Sequence, residues 1–252
     1  MYVLLFLAAT SVQLLFLGGL HYFCNGHLSG GMSPLWAGRK GMVMLSLCET
    51  AFYLLGLPLL LFSVCFRDGG TIQRDLLIVL PGRQWTKWKE MFDTAVLVIL
   101  LILPAVIPAV YLHTWQVPVN IIIRFTLTLC LIVLSFSAVI HFIHALSRNA
   151  FASLAAVYIY MLSLAGGIIF MNPVIEWASD PEGIIQAVLL LNPFIGIASS
   201  INLDILRTDP LYYLSAISMY NFRYPGPVQV GLFHGFVFFI LFIVKGMFSD
   251  RS

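Results

Sequence analysis

Apolar residues fall in long continuous runs along the chain, and there are few stretches in which apolar and polar residues alternate. A helix of about 20 apolar residues crosses the roughly 30 Å of hydrocarbon in a bilayer. The pattern therefore predicts an all-α polytopic membrane protein with six transmembrane helices, each bounded by charge, proline, glycine or interfacial aromatic residues. The predicted spans are residues 3–23, 42–66, 93–112, 121–146, 150–171 and 227–247.

A seventh apolar run covers residues 184–203 and is interrupted at Asn192-Pro193. Proline removes a backbone donor, and the asparagine amide is costly in hydrocarbon. The interruption predicts a re-entrant segment or interfacial outer helices before the last span. A true seventh span is the alternative.

Composition supports the membrane class, since 60% of residues are hydrophobic and 10% are charged. The net charge of +2 is too small and too scattered to favour nucleic acid as a partner. Cys24, Cys48, Cys65 and Cys130 show no ligand-like spacing and lie mostly in or beside apolar runs, so they are predicted to be buried free thiols. The first run has no basic segment before it and no clear cleavage site, which favours a retained span over a signal peptide.

Basic residues orient the six predicted spans, because cytoplasmic loops of membrane proteins are enriched in lysine and arginine. With both termini in the cytoplasm, the inner segments hold Arg67, Arg74, Arg83, Lys87, Lys89, Arg148, Lys245 and Arg251. The outer segments then hold Arg39, Lys40, Arg124, Arg207 and Arg223. The Arg39-Lys40 pair runs against this bias and leaves open whether the first run spans fully.

The chain is predicted to form one transmembrane domain over residues 1–252, since neither internal repeats nor low-complexity runs divide it. Two polar excursions interrupt the spans: a loop at 67–92 and an outer segment at 172–226. The outer segment contains five acidic residues and two arginines, which suits an extracytoplasmic face.

The loop at 67–92 is unusually charged: nine of the 24 charged residues lie between Arg67 and Asp93. Thr71 can cap a short helix that ends at Pro81-Gly82 and has apolar residues on one face. The next residues alternate tryptophan with basic side chains, as expected of a helix that lies at a lipid headgroup boundary. From the residues alone, the segment is either a docking helix or a loop that anchors the next span.

This loop resembles the first cytoplasmic loop of the type-2 ABC exporter permeases. The matching positions are Arg67-Asp68, Gly70-Thr71-Ile72, Leu76-Leu77, Pro81 and Lys89. The resemblance extends to the six spans, to the short basic turn "ALSRNAFAS" and to "LLNPFIGIASS" in the last outer loop. Order and spacing carry more weight here than any single motif.

The resemblance implies a transmembrane subunit of an ATP-driven exporter in the cell membrane. Residues 69–81 would form a coupling helix that docks into a separate cytoplasmic ATPase, and a second permease copy or paralogue would complete the pathway. The coupling residues it implies are Gly70, Thr71, Ile72, Arg74, Asp75, Leu76, Leu77, Leu80 and Pro81. The chain contains no GxxxxGK[ST] loop, so ATP and Mg²⁺ are expected on the partner and no cofactor on this chain.

Two other classes stay open: an intramembrane enzyme acting on lipid or peptide, and a membrane assembly scaffold. Chemistry in the membrane needs polar groups that converge at one depth. Glu49 is the main candidate, with a role in the pathway or dimer seam, or else structural pairing or an interfacial position. His141 and His144 share a helix face, but no further ligand stands at helical spacing beside them, so no metal is predicted.

Overall fold

The structure is a computed structural model that describes residues 2–29, 31, 33–65, 85–147, 149–170, 172–204, 220 and 223–249. Within these residues every regular element is helical, as predicted. The helices are α1 (Tyr2–Ser29), α2 (Pro34–Cys65), α3 (Trp85–Ile102), α4 (Val106–Tyr111), α5 (Val119–Ser147), α6 (Ala150–Phe170), α7 (Asn172–Trp177), α8 (Pro181–Leu191), α9 (Pro193–Ser200) and α10 (Pro227–Ser249). Two 3-10 turns, Leu103–Ala105 and Leu112–Trp115, flank α4.

Local sequence explains where several helices begin. Proline is the first residue of α8, α9 and α10, where its missing N–H costs nothing. Asp180 caps α8 by accepting a hydrogen bond from the backbone N–H of Gly183 at 3.0 Å. Asn149 caps α6 in the same way, with its Oδ1 3.1 Å from the backbone nitrogen of Ala152.

Helix α5 is the centre of the bundle and packs against α2, α3, α6, α9 and, most extensively, α10. Of its apolar segment, 67% is buried, compared with 28% for the apolar segment of α10. A stripe of fully or almost fully buried large side chains runs along α5: Phe125, Leu129, Ile132, Phe136 and Ile140. Their spacing of three or four residues keeps them on one helix face.

A buried polar contact also joins α5 to α10. Ser135 Oγ lies 2.8 Å from His234 Nδ1 and donates a hydrogen bond to the backbone oxygen of Ile132 at 2.8 Å. Both side chains are buried. The bond therefore fixes the register of two helices that are otherwise held together by apolar packing.

Three described segments are long and apolar enough to cross a membrane: Thr94–Trp115, Val119–Ser147 and Pro227–Lys245. Each overlaps a predicted span. The described apolar part of α6, Phe151–Gly167, is shorter than the about 20 residues that cross a bilayer. The long apolar helices indicate a membrane protein.

Two helices begin before the spans predicted for them. Helix α2 begins at Pro34, so Arg39 and Lys40 lie within it, ahead of the predicted span start at residue 42. Helix α3 begins at Trp85, so the end of the predicted loop at 67–92 is helical, while the apolar segment starts at Thr94, next to the predicted span start at residue 93. Pro104 lies in the first 3-10 turn, between α3 and α4.

The seventh apolar run forms two helices instead of one. Helices α8 and α9 meet at Asn192 with a bend of 78°. If the pair counts as one span, the described residues contain four candidate spans instead of three. The break lies at the position where the sequence places an interruption.

Candidate functional site

A buried polar cluster lies where α1, α2 and α3 meet. Gln13 Nε2 of α1 donates a hydrogen bond to Glu49 Oε2 of α2 at 3.0 Å. The same nitrogen is 3.4 Å from the hydroxyl oxygen of Tyr53, which donates to the backbone oxygen of Leu101 in α3 at 2.7 Å. Gln13 and Glu49 are fully buried, with 0% of each side chain exposed. The cluster thus links three helices through side chains without access to water.

The cluster lies at a depth where charge is costly. Leu101 is inside the apolar segment Thr94–Trp115 and away from both of its ends. An isolated charge at the centre of a membrane helix costs about 2.5–3.5 kcal/mol on insertion scales. Glu49 is buried and paired with Gln13, which is the structural pairing among the roles predicted for it.

Sequence reasoning found Glu49 but missed Gln13 and Tyr53. Tyr53 follows Glu49 by four residues and so lies on the same face of α2, a signal that helical periodicity provides. Gln13 is a polar residue inside the first apolar run. Its pairing with Glu49 depends on how α1 is set against α2, which no local pattern specifies.

The two histidines of α5 bond to different helices. His141 Nε2 lies 3.3 Å from Thr94 Oγ1 in α3, whereas His144 Nδ1 lies 3.3 Å from Ser153 Oγ in α6. Among the described residues, no group of three or more histidine, cysteine, aspartate or glutamate side chains could hold a metal ion. Cys24, Cys48 and Cys130 are free thiols, but only Cys24 of these three is buried as predicted, and the other two are half-buried.

Asn192 organises the break between α8 and α9. Its Oδ1 accepts hydrogen bonds from the backbone nitrogens of Phe194 at 2.9 Å and Ile195 at 3.2 Å, which caps α9. Its Nδ2 donates to the backbone oxygens of Leu164 at 2.8 Å and Ala165 at 3.1 Å in α6. One buried side chain therefore both starts α9 and ties the break to a neighbouring helix.

An open groove of about 880 Å³ runs between α5 and α10. Its lining is almost entirely apolar, with Arg124 as its charged residue. Arg124 bonds to the backbone oxygen of Asn120 at 3.3 Å and to Asn202 Oδ1 at 3.4 Å. At Gly231 of α10, an added Cβ would lie 3.1 Å from Leu131 Cδ1, so α10 approaches α5 closely there.

The predicted coupling residues, Gly70 to Pro81, lie outside the described residues. The two candidate sites in the described part of the chain are the buried cluster at Glu49 and the helix break at Asn192, where one polar side chain contacts several partners.

The bundle of long apolar helices defines the class as a helical membrane protein. No protein-family model matches the chain, and neither a curated protein nor a solved structure matches it.

Proposed function

We propose that the chain is the transmembrane subunit of an ATP-driven exporter of the type-2 ABC permease kind. It would cross the cell membrane six times with both termini in the cytoplasm and pair with a second copy or a paralogue. ATP and Mg²⁺ would bind to a separate cytoplasmic ATPase. This chain would supply the pathway and no nucleotide chemistry.

The observation that carries the proposal is the helix pair bent by 78° at Asn192-Pro193, directly before the last long helix in the described bundle. The sequence resemblance to these permeases places the "LLNPFIGIASS" motif in the last outer loop, and α8 and α9 contain it. Two short helices that meet at a sharp bend and are held against α6 by Asn192 suit a re-entrant segment. Such a segment enters the membrane from the outer side and returns to the same side. In this proposal, α8 and α9 form the outer end of the pathway.

Coupling would occur at the other face, through residues 69–81. Ile72, Leu76 and Leu80 would share a helix face and fill an apolar groove of the ATPase, while Arg74 and Asp75 would set the register. Motion driven by nucleotide would then pass to α2 and α3, which flank this segment in the sequence.

A double variant in this segment tests the function. Leu76→Ala with Leu77→Ala is expected to leave the protein inserted and dimeric, but to weaken ATPase association and abolish transport. Each buried anchor at an interface can contribute about 2 kcal/mol or more, whereas charges at the rim contribute less. The measurement is co-purification of a nucleotide-binding partner with the wild-type protein and with the variant, together with a transport or resistance assay.

The matched control is charge reversal at Lys87, which the proposal assigns to the headgroup layer and which should change both readouts far less. Undiminished ATPase binding and full transport in the double alanine variant would show that the segment is a simple loop. Purification without any nucleotide-binding partner would favour the enzyme or scaffold class instead.

The six-span topology predicts which side of the membrane each loop faces. In a background without native cysteines, Asp180→Cys should react with an impermeant thiol reagent added outside, and Arg74→Cys should be protected. Equal labelling of the two would contradict the topology. Protection of Asp204→Cys together with labelling of Asp180→Cys would instead make residues 184–203 a seventh span.

A further inference from the structure

The contact between Gln13 and Glu49 leaves two oxygen atoms without partners. Gln13 Oε1 and Glu49 Oε1 are buried, and neither has a hydrogen-bond partner among the described residues. An amide oxygen accepts only, and so does an ionised carboxylate. With Glu49 ionised, two unsatisfied acceptors and a negative charge would share one site without water, an arrangement that buried polar groups in proteins avoid.

A single proton on Glu49 Oε1 neutralises the charge and gives both unpaired oxygen atoms a hydrogen-bonding role. It removes the charge and turns that oxygen into an O–H donor. A carboxylic acid and a carboxamide can pair through two parallel hydrogen bonds, N–H to acid oxygen and O–H to amide oxygen. The first of these is the observed bond from Gln13 Nε2 to Glu49 Oε2, and the second would give Gln13 Oε1 its partner.

We infer that Glu49, paired with Gln13, is a proton-binding site in the membrane-embedded bundle. The ligand is a proton exchanged with water, and the O–H bond is the only covalent bond that forms or breaks. Release of the proton removes the second hydrogen bond and places a charge between α1 and α2. Arrangements of these helices that shield Glu49 therefore bind the proton more tightly than arrangements that expose it to water.

Among the described residues, no lysine, arginine or histidine side chain forms an ion pair with Glu49. On its own helix, the titratable neighbours of Glu49 are Cys48 and Tyr53, and Arg39 and Lys40 are nine or more residues away, about 14 Å along the axis. Most of the described ionisable side chains on the elements packed against α2 bond elsewhere: His21 to Tyr111, Cys24 to the backbone oxygen of Ala37, His113 to the backbone oxygen of Val117, His141 to Thr94, His144 to Ser153, Tyr158 to the backbone oxygen of Leu55, and Arg124 to Asn120 and Asn202. The others, Tyr22, Cys130 and Tyr160, form no hydrogen bond with Glu49.

Infrared spectroscopy of the full chain in lipid nanodiscs tests the inference. The sequence contains four glutamates, Glu49, Glu90, Glu176 and Glu182, so selective ¹³C labelling of glutamate side chains isolates few signals. The wild-type protein is expected to show an isotope-shifted C=O band of a protonated acid at neutral pH. Glu49→Gln, which can keep both hydrogen bonds as an amide pair, should lose that band and remain folded.

A second variant tests the partner. Gln13→Leu removes the amide while leaving Glu49 in place, and it should move the acid band to higher frequency because the carbonyl loses a hydrogen bond. An unmoved band in Gln13→Leu, or a wild-type protein without any acid band at neutral pH, would overturn the inference. Loss of the band on adding Na⁺ at constant pH would also overturn it and identify a cation site. Because the wild-type spectrum alone is decisive, failure of a variant to fold leaves the test intact.

Discussion

Replacing Asn192 with alanine is expected to lower the free energy of unfolding by about 3 kcal/mol or more. The variant loses four hydrogen bonds, two to the first turn of α9 and two to α6. The site is 1% exposed, so water cannot replace them and the backbone N–H groups of Phe194 and Ile195 lose their partner. Denaturant titration in detergent micelles, followed by circular dichroism, measures the effect.

The matched control is Asn149→Ala, which removes an exposed cap of α6 with one bond to the Ala152 backbone. Water can reach that position, so the loss should be about 1 kcal/mol. Asn192→Ser keeps a capping oxygen but lacks the two donors, and it should fall between wild type and Asn192→Ala. Equal destabilisation by Asn149→Ala and Asn192→Ala would mean that the contact with α6 contributes nothing.

Gly38→Ala should destabilise the protein by about 1–3 kcal/mol or more, because an added methyl group has no room. Gly38 is buried at the start of α2, and its Cβ would overlap the backbone oxygen of Trp115 and lie 3.0 Å from Trp115 Cβ. The colliding atom belongs to the backbone of a 3-10 turn, which cannot move aside as a flexible side chain does. Thermal unfolding of the purified protein gives the comparison.

Gly56→Ala provides the control on the same helix. Nothing lies within 4 Å of the added Cβ at Gly56, so alanine should stabilise α2 by about 0.5–1 kcal/mol through its higher helix propensity. The two substitutions are chemically identical and are expected to have opposite signs. A stabilising Gly38→Ala would mean that α2 does not approach the turn closely.

Sequence predicted those features whose causes are local. The break at Asn192 follows from a proline and a capping amide in adjacent positions, and α5 and α10 begin within two residues of their predicted starts, at 119 and 227. The third span was placed at 93 and its apolar segment starts at Thr94, but hydropathy does not distinguish a helix outside the hydrocarbon from a loop, so it left open that α3 begins earlier, at Trp85.

The polar contacts between helices could not be predicted in this way. Gln13 and Glu49 are 36 residues apart, and Ser135 and His234 are 99 residues apart. Each pairing depends on the rotation and depth of two helices relative to one another. Periodicity assigns a residue to a face of its own helix and leaves the facing residue undetermined.

The bond between Ser135 and His234 also bears on how the bundle is assembled during synthesis. Ribosomes add about 5–20 residues each second, so the 99 residues between the two partners take about 5–20 s to make. During that interval the central helix lacks its most extensive neighbour, since α10 is the last of the described helices to be made. Until then, lipid or an insertion factor must contact this face of α5, and α10 must displace it. Packing of α10 is therefore the step that completes the described bundle.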